Sequence, residues 1–404
     1  MKNRGVLSVM KFGGSSFASQ AHFVPICQWI HRHLRELEGD HRVICIVSAP
    51  SGLTEKYRET LLALNPMPTS RLIDAGLPLA DSLGAVFVAA ALQAAGVSAT
   101  VALGNQIGLR TDRNYTRARL HAVETDALAA LLEEHQVIVV PGGQASAADT
   151  GETTWLGKNS SDLSAIALAA ALECENVEIY SDVPGVYSCD PNIVPEAYLL
   201  PQLPHAQAVE MSRSGAKVLH HRGVEHALQH RLRIVCRSNR DDFSIGTILE
   251  VAGLFQSTVI PDARSQVFSG PIAVINIAAQ ELEAIAVPCL LVLDNNDINT
   301  SRLVVTCGYF DAPHFLVAGR QFPLICEDTR LISVIKNDGS ILRELVPPSQ
   351  LAARARELHK SHCKEPFFPV KQSRGESSSA SEKGMDAQLA VFTNAEEYQN
   401  VRAA

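Results

Sequence analysis

Short apolar runs alternate with segments of helical spacing along the first 250 positions. Val6–Met10 and Val43–Val47 read as buried strands, with Phe23–Leu37 as the helix between them. Leu79–Ala95 is alanine-rich and helical, and Val97–Leu103 is a strand. Thr125–His135 reads as a short helix with Thr125 as N-cap, followed by a strand at Val137–Val140. Ser161–Leu172 is a helix and Val177–Tyr180 a strand; Ser214–His230 reads as a long helix and Leu232–Cys236 as the strand after it. Apolar runs of this length, rich in β-branched residues and separated by helices, predict a mostly parallel sheet covered on both faces. The expected class is α/β, an αβα sandwich.

The pattern changes after Gly253. Gln266–Ile277, Ala286–Leu293, Arg302–Cys307 and Leu331–Ile335 are β-rich, with short helix signals between them. A smaller α+β domain is expected over 262–345, after a first domain over 1–252. From Ser349 a helical segment runs to about His359. Within the final region, 346–404, the stretch QSRGESSSASEKGMDA at 371–386 is low-complexity and reads as disordered.

Composition narrows the function classes. The chain has 404 residues, 46% of them apolar, enough for two domains with sizeable cores. Its net charge is −8 and no long basic run occurs, so nucleic acid is not an expected partner. The nine cysteines are scattered, with neither a CxxC pair nor a Cys/His cluster, which indicates reduced thiols and neither a disulfide framework nor a dedicated metal site. Met1–Gly5 lacks the apolar region of a signal peptide, and no uninterrupted apolar run reaches the ~18 residues of a membrane helix. A cytoplasmic protein without a membrane partner is expected.

Five segments carry candidate chemistry. Lys11-Phe12-Gly13-Gly14-Ser15-Ser16 follows the first strand. Glycines let backbone approach an anion, the next helix start aims N–H groups at it, and a lysine adds a mobile point charge. The segment is not a Walker A loop, and alone it reads equally well as a structural turn. Ser48-Ala49-Pro50-Ser51-Gly52-Leu53-Thr54 places hydroxyls at the carboxyl end of a strand, where α/β sheets bind ligands. Pro141-Gly142-Gly143 also ends a strand. Lys158-Asn159-Ser160-Ser161-Asp162 opens an alanine-rich helix; Ser160 or Ser161 could simply cap it, or the cation and carboxylate could form a site. Ser181-Asp182 to Tyr187 and Asp190 offers carboxylates for ribose and rings for stacking, and Lys217 is read as opening the following helix within reach of phosphate.

In this order the segments resemble the aspartate kinases of the amino-acid kinase family. The likeness runs over residues 6–250: KFGGSS for KFGGTS, VSAPSGLT for a VSAMxGxT-like loop, LGKNSSD for LGRGGSD, IYSDVPGVYSCDP for xxTDVDGVYTxDPR, and GAKVLH unchanged. The resemblance implies ATP along the carboxyl end of the sheet, an amino acid facing its γ-phosphate, and an acyl phosphate as product, 4-phospho-L-aspartate if the acceptor is L-aspartate. Lys11 would stabilise the transferring phosphoryl group and Asp162 would hold that lysine. Gly13, Gly14, Ser15, Ser181, Asp182, Tyr187 and Lys217 would contact the nucleotide. Ser48, Thr54, Asp81, Lys158 and Ser161 would contact the amino acid. Mg²⁺ would arrive on ATP, and a homodimer is implied, with the C-terminal domain as its contact.

The departures from the family pattern gather where the amino acid would bind. The arginine that clamps the α-carboxylate falls at Lys158, and the two glycines after it are Asn159 and Ser160. The glutamate for the substrate amine falls at Asp81, with Ala80 before it. A phenylalanine is replaced by Gly143, a tyrosine by Leu163, and the arginine of DPR by Asn192. Three readings follow: aspartate chemistry in a re-packed pocket, a pocket rebuilt for a larger carboxylate using room at Gly143, or a non-catalytic nucleotide-binding regulator. The retained Lys11 and Asp162 speak against the last. One degenerate ACT-like unit, or an unrelated oligomerisation domain, is expected in the C-terminal part in place of the family's tandem pair, and with it insensitivity to lysine and threonine.

Overall fold

The computed structural model describes residues 6–36, 40–217, 219–240, 242–293, 300–306, 308 and 310–363. The tail at 371–386 and the start at Met1–Gly5 lie outside them.

Eight strands, numbered along the whole chain, build the central sheet: β1 Leu7–Phe12, β2 Arg42–Val47, β3 Ala99–Val101, β6 Val137–Pro141, β9 Asn176–Ser181, β10 Gln202–Pro204, β11 Arg233–Ser238 and β12 Ile245–Glu250. Their spatial order is β10-β12-β11-β9-β1-β2-β6-β3. Every neighbouring pair is parallel except β11 with β12. The expected sheet is therefore present, with one antiparallel step. A second sheet, β4 Leu109–Thr111, β5 Leu120–Val123, β7 Gln144–Ala147 and β8 Thr153–Trp155, runs in the order β5-β4-β7-β8 beside the carboxyl end of β6.

Strand side chains alternate between faces, so an all-apolar run feeds two cores at once. Ile44, Ile46, Ile138, Val140 and Ile179 join Val9 on one side, with Ile166 of α6 (Ser161–Ala171) and Val224 of α8 (His221–His230). Val43, Cys45, Val47, Met10, Phe12 and Tyr180 face the other, with Ile26 and Ile30 of α1 (Phe23–Glu36) and Val88 and Leu92 of α4 (Leu79–Ala94). Lys11 follows the same alternation. It pairs in register with Ile46 and Ile179, and so faces α6 at the strand's carboxyl end.

Helices α2 (Leu53–Leu64), α3 (Ser70–Gly76), α5 (Asp126–Glu134) and α7 (His205–Arg213) complete the first domain. The stretch Ser70–Ala94, interrupted by Arg71, Asp74 and Asp81, is long and apolar enough on average to cross a membrane, but half of its most apolar window is buried inside the fold. The helix expected over Ser214–His230 starts only at His221, as α8; α7 has already ended at Arg213. Gly215 lies between them: its φ is +100°, and a Cβ there would sit 2.3 Å from Asp262 Oδ2. Thr125 precedes α5 without a side-chain cap.

The C-terminal region corrects the expected single unit over 262–345. β14 Gln266–Pro271, α9 Ile272–Ala284, β15 Cys289–Leu293, β16 Thr300–Val305, a π-helical turn at Pro313–Gly319 and β17 Ile325–Glu327 form one antiparallel sheet, order β15-β16-β14-β17. That is the split β-α-β pattern, with the turn in place of its second helix. It is inserted between β13 (Thr258–Asp262) and β18 (Arg330–Ile335), which with β19 (Ile341–Val346) make a second sheet. Helix α10 (Leu351–His362) packs on that second sheet through Leu351, Ala355 and Leu358, sharing a core with Val259, Ile332 and Cys189. A boundary at 346 would split this unit. The β reading of Gln266–Ile277 fails after Pro271, where Ile275, Ala278 and Leu282 follow a helical period into the core.

Candidate active site

The carboxyl ends of β1, β2, β6 and β9 open into a cleft of about 550 Å³. Lys11 forms its floor. Lys11 Nζ lies 2.7 Å from Asp162 Oδ1, and both side chains are about one-tenth exposed. Asp162 stands in the first turn of α6, and its Oδ2 accepts from the His220 backbone N–H at 3.4 Å. The close docking of α6 depends on Gly142: a Cβ there would lie 2.3 Å from Ser161 Cβ. Ser160 and Ser161 do not cap α6; Ser160 Oγ donates to Gly157 O at 2.6 Å and Ser48 Oγ donates to Ser161 Oγ at 2.9 Å.

One end of the cleft is built from Gly13, Gly14, Ser15, Ser181 and Lys217. Asp182 sits at its rim, accepting from Ser15 Oγ at 3.3 Å and Ser181 Oγ at 3.1 Å. Asn239 knits this end together. Its amide oxygen accepts from Ser16 Oγ at 2.8 Å and from the Asp182 N–H at 3.3 Å, while its nitrogen donates to Ser181 O at 3.2 Å. Lys217 is exposed between α7 and α8 and does not open a helix. Tyr187 stands apart: it does not line the cleft, and its ring packs against the core shared by Cys189 and α10.

The other end gathers Ser48, Thr54, Asp81, Lys158 and Ser161. Asp81 is buried in the first turn of α4 and accepts from the Ala49 N–H at 2.8 Å, fixing the hydroxyl-bearing loop. Burial pushes its carboxyl up to about 7, against the opposing pull of the Ala49 N–H and Lys11. Lys158 Nζ lies 3.9 Å from Glu55 Oε2 with both groups half exposed. Such a pair contributes less than about 1 kcal/mol, so an anionic ligand can displace Glu55 at little cost. Asn159 holds φ +63°, the left-handed region that asparagine tolerates better than most residues. The room expected at Gly143 is absent: a Cβ there would meet Ser160 Oγ at 2.8 Å and Trp155 Nε1 at 3.0 Å. Leu163 is buried in the core, and Asn192 pairs with Asp190 outside the cleft.

Several lining residues carry no motif signal in the sequence. Arg117 and Trp155 come from the first domain and Arg264 and Phe310 from connections in the C-terminal region, while His220 closes the GAKVLH segment. Burial drives the His220 imidazole well below its usual range, so it is neutral at pH 7. Lys11, Arg117, Lys158, Lys217, Arg222 and Arg264 face Glu55, Asp81 and Asp162 around the cleft, a cationic excess in a chain of charge −8. That excess suits a polyanionic ligand.

The sequence profile described as the amino acid kinase family matches residues 7–238. Aspartokinase 2 of Bacillus subtilis is 33% identical over 254 residues, 63% of this chain and 61% of that protein. The aspartokinase of Corynebacterium glutamicum is 32% identical over 257 residues, covering 64% and 60%. The chain thus spans about 60% of the length of these curated relatives. Among solved structures, E. coli aspartokinase III in complex with aspartate and ADP superposes with a TM-score of 0.68 at 19% identity, over 88% of this chain and 99% of that one. The Clostridium acetobutylicum aspartate kinase does so at 0.61 and 14%, over 88% and 100%.

Proposed function

The chain belongs to the amino acid kinase family, and from that premise we propose that it transfers the γ-phosphoryl group of ATP to the side-chain carboxylate of an amino acid, L-aspartate before others. A carboxylate oxygen attacks the γ-phosphorus, the bond to the β–γ bridging oxygen breaks, and 4-phospho-L-aspartate and ADP leave. The observation that carries this reading is the buried Lys11–Asp162 ion pair between the two differently built ends of one cleft. Phosphoryl transfer needs positioned charge more than a covalent nucleophile. Lys11 supplies that charge where the two substrates meet, and Asp162 keeps it in place. Gly13, Gly14, Ser15, Ser181, Asp182 and Lys217 take the nucleotide. Ser48, Thr54, Asp81, Lys158 and Ser161 take the amino acid, Asp81 toward its ammonium and Lys158 toward its α-carboxylate. Tyr187 drops out of the nucleotide set because it lies outside the cleft.

Among the described residues no group of three His, Cys, Asp or Glu side chains is disposed around a metal ion. The donors at the nucleotide end are hydroxyls and the exposed Asp182, which fits a Mg²⁺ that keeps water and phosphate oxygens as its main ligands. On ATP it would offset charge on the β- and γ-phosphates. The reading includes a cytoplasmic location, supported by eight described cysteines that are all unpaired thiols. It includes a homodimer through the C-terminal sheets, supported by the open edge of β17, where Ile325 is 70% exposed.

The test is release of ADP from Mg-ATP by the full chain, with hydroxylamine trapping any acyl phosphate, across aspartate, glutamate and N- or β-substituted analogues. A hydroxamate with aspartate supports the reading. A signal confined to another acid transfers the proposal to that acceptor, although the filled space at Gly143 argues against a larger one. Nucleotide binding with no hydroxamate from any acid overturns it in favour of a regulator.

A further inference from the structure

Asp74 lies on α3, outside every motif of the cleft, and is completely buried. Its two carboxylate oxygens serve two different segments. Oδ1 accepts from the Thr116 N–H at 2.8 Å, and Oδ2 accepts from the Trp155 N–H at 2.9 Å. Thr116 sits in the turn between β4 and β5 at φ +70°, a left-handed conformation unfavourable for a β-branched residue, and its neighbour Arg117 lines the cleft. Trp155 ends β8, and the chain runs from it through Leu156 and Gly157 to Lys158, all lining the cleft. The Ala118 N–H donates to Trp155 O at 2.9 Å, and Arg222 donates to Ala118 O and Leu156 O. One buried carboxylate and one guanidinium therefore clamp the same two segments together.

We propose that Asp74 is the positioning residue of the acceptor wall: it ties the turn bearing Arg117 to the strand leading into Lys158, and so sets both cations without touching substrate. A neutral side chain of the same shape cannot do this. Asparagine offers one acceptor oxygen for two N–H groups, and its own NH₂ would face the second donor. A buried N–H left without an acceptor relaxes the segment that carries it. The Arg117 guanidinium, 4.7 Å over the Phe310 ring of the C-terminal region, would then lose its fixed relation to Lys158.

The kinetic part of this inference rests on the amino-acid kinase reading; the structural part does not, and the experiment separates them. The full chain is labelled with fluorotryptophan, which gives two ¹⁹F signals because Trp29 and Trp155 are its only tryptophans. Asp74→Asn is expected to move the Trp155 signal and leave that of Trp29, and to raise KM for the amino acid about tenfold with KM for ATP within about twofold. Unmoved Trp155 with unchanged KM overturns the proposal. So do two moved signals with both KM values altered, which mark a general structural role. If wild type phosphorylates no acid, the functional reading fails, and the Trp155 signal alone decides the placement of Asp74. Should Asp74→Asn not fold, amide exchange in wild type takes over: strong protection at Thr116 and Trp155 is expected, and exchange at loop rates overturns the clamp.

Discussion

Lys11 at the end of β1 and Asp162 in the first turn of α6 form a 2.7 Å ion pair in a site that is about nine-tenths closed to solvent. The pair joins a strand to the helix that covers it, so it is part of the fold as well as of the cleft. Removing one partner leaves the other charged and buried, which costs about 3–5 kcal/mol. Lys11→Met is therefore expected to lower stability, measured by denaturant unfolding, and to reduce kcat by about a thousandfold or more. The double variant Lys11→Met/Asp162→Asn should recover most of the stability and none of the rate. Recovery of turnover would remove Lys11 from the reaction.

Lys158 reports on the acceptor end. Lys158→Ala is expected to raise KM for the amino acid about tenfold with little change in kcat, the mark of lost ground-state binding. Lys158→Arg restores a planar fork for a carboxylate and is expected to lower KM below that of wild type. A Lys158→Ala variant with unchanged KM would place the α-carboxylate elsewhere in the cleft, with Arg117 the next residue to change.

Asp81 gives the site a pH dependence. Its carboxyl is raised to about 7 by burial, with the Ala49 N–H and Lys11 opposing, whereas in the unfolded chain it titrates near the usual carboxylate value of about 4. The folded state therefore holds this proton more tightly. The stability it contributes is full below about pH 4 and is lost as pH rises through about 7. Amine binding runs the other way, because only the carboxylate attracts an ammonium ion. KM for the amino acid should fall as pH rises from 6 to 8, and Asp81→Asn should flatten both profiles. A KM profile of the same shape in Asp81→Asn would assign the titration to another group.

Asn239 serves the nucleotide end alone, through Ser16, Asp182 and Ser181. Asn239→Ala is expected to raise KM for ATP about tenfold while KM for the amino acid stays within about twofold. Isothermal titration with ADP checks the same loss without turnover. Equal loss at both substrates would mean that Asn239 supports the whole cleft.

The sequence by itself determined the sheet and which chemistry-bearing segments reach its carboxyl edge. Runs such as Val43–Val47 can only be buried on both faces, and each chemical motif falls at a strand end or helix start, where chain direction alone places it. Lys11, Ser15 and Asp162 are adjacent to such signals, so their meeting at one edge of the sheet was legible without coordinates. Tertiary structure decided what depends on approach between distant segments. The helix expected from Ser214 starts only at His221: Gly215 holds a left-handed φ, and Asp262, from the C-terminal region, fills the space a Cβ there would need. The space inferred at Gly143 is filled by Trp155 and Ser160. Tyr187 lies within the segment that resembles the family's nucleotide motif, yet it packs against the core that α10, far along the chain, completes. Asp74 is one acidic residue on a short helix, with no partner within reach of any sequence window. Its two backbone donors lie 42 and 81 positions away, and hydrogen bonds to backbone N–H leave no trace in the identity of the residue that donates.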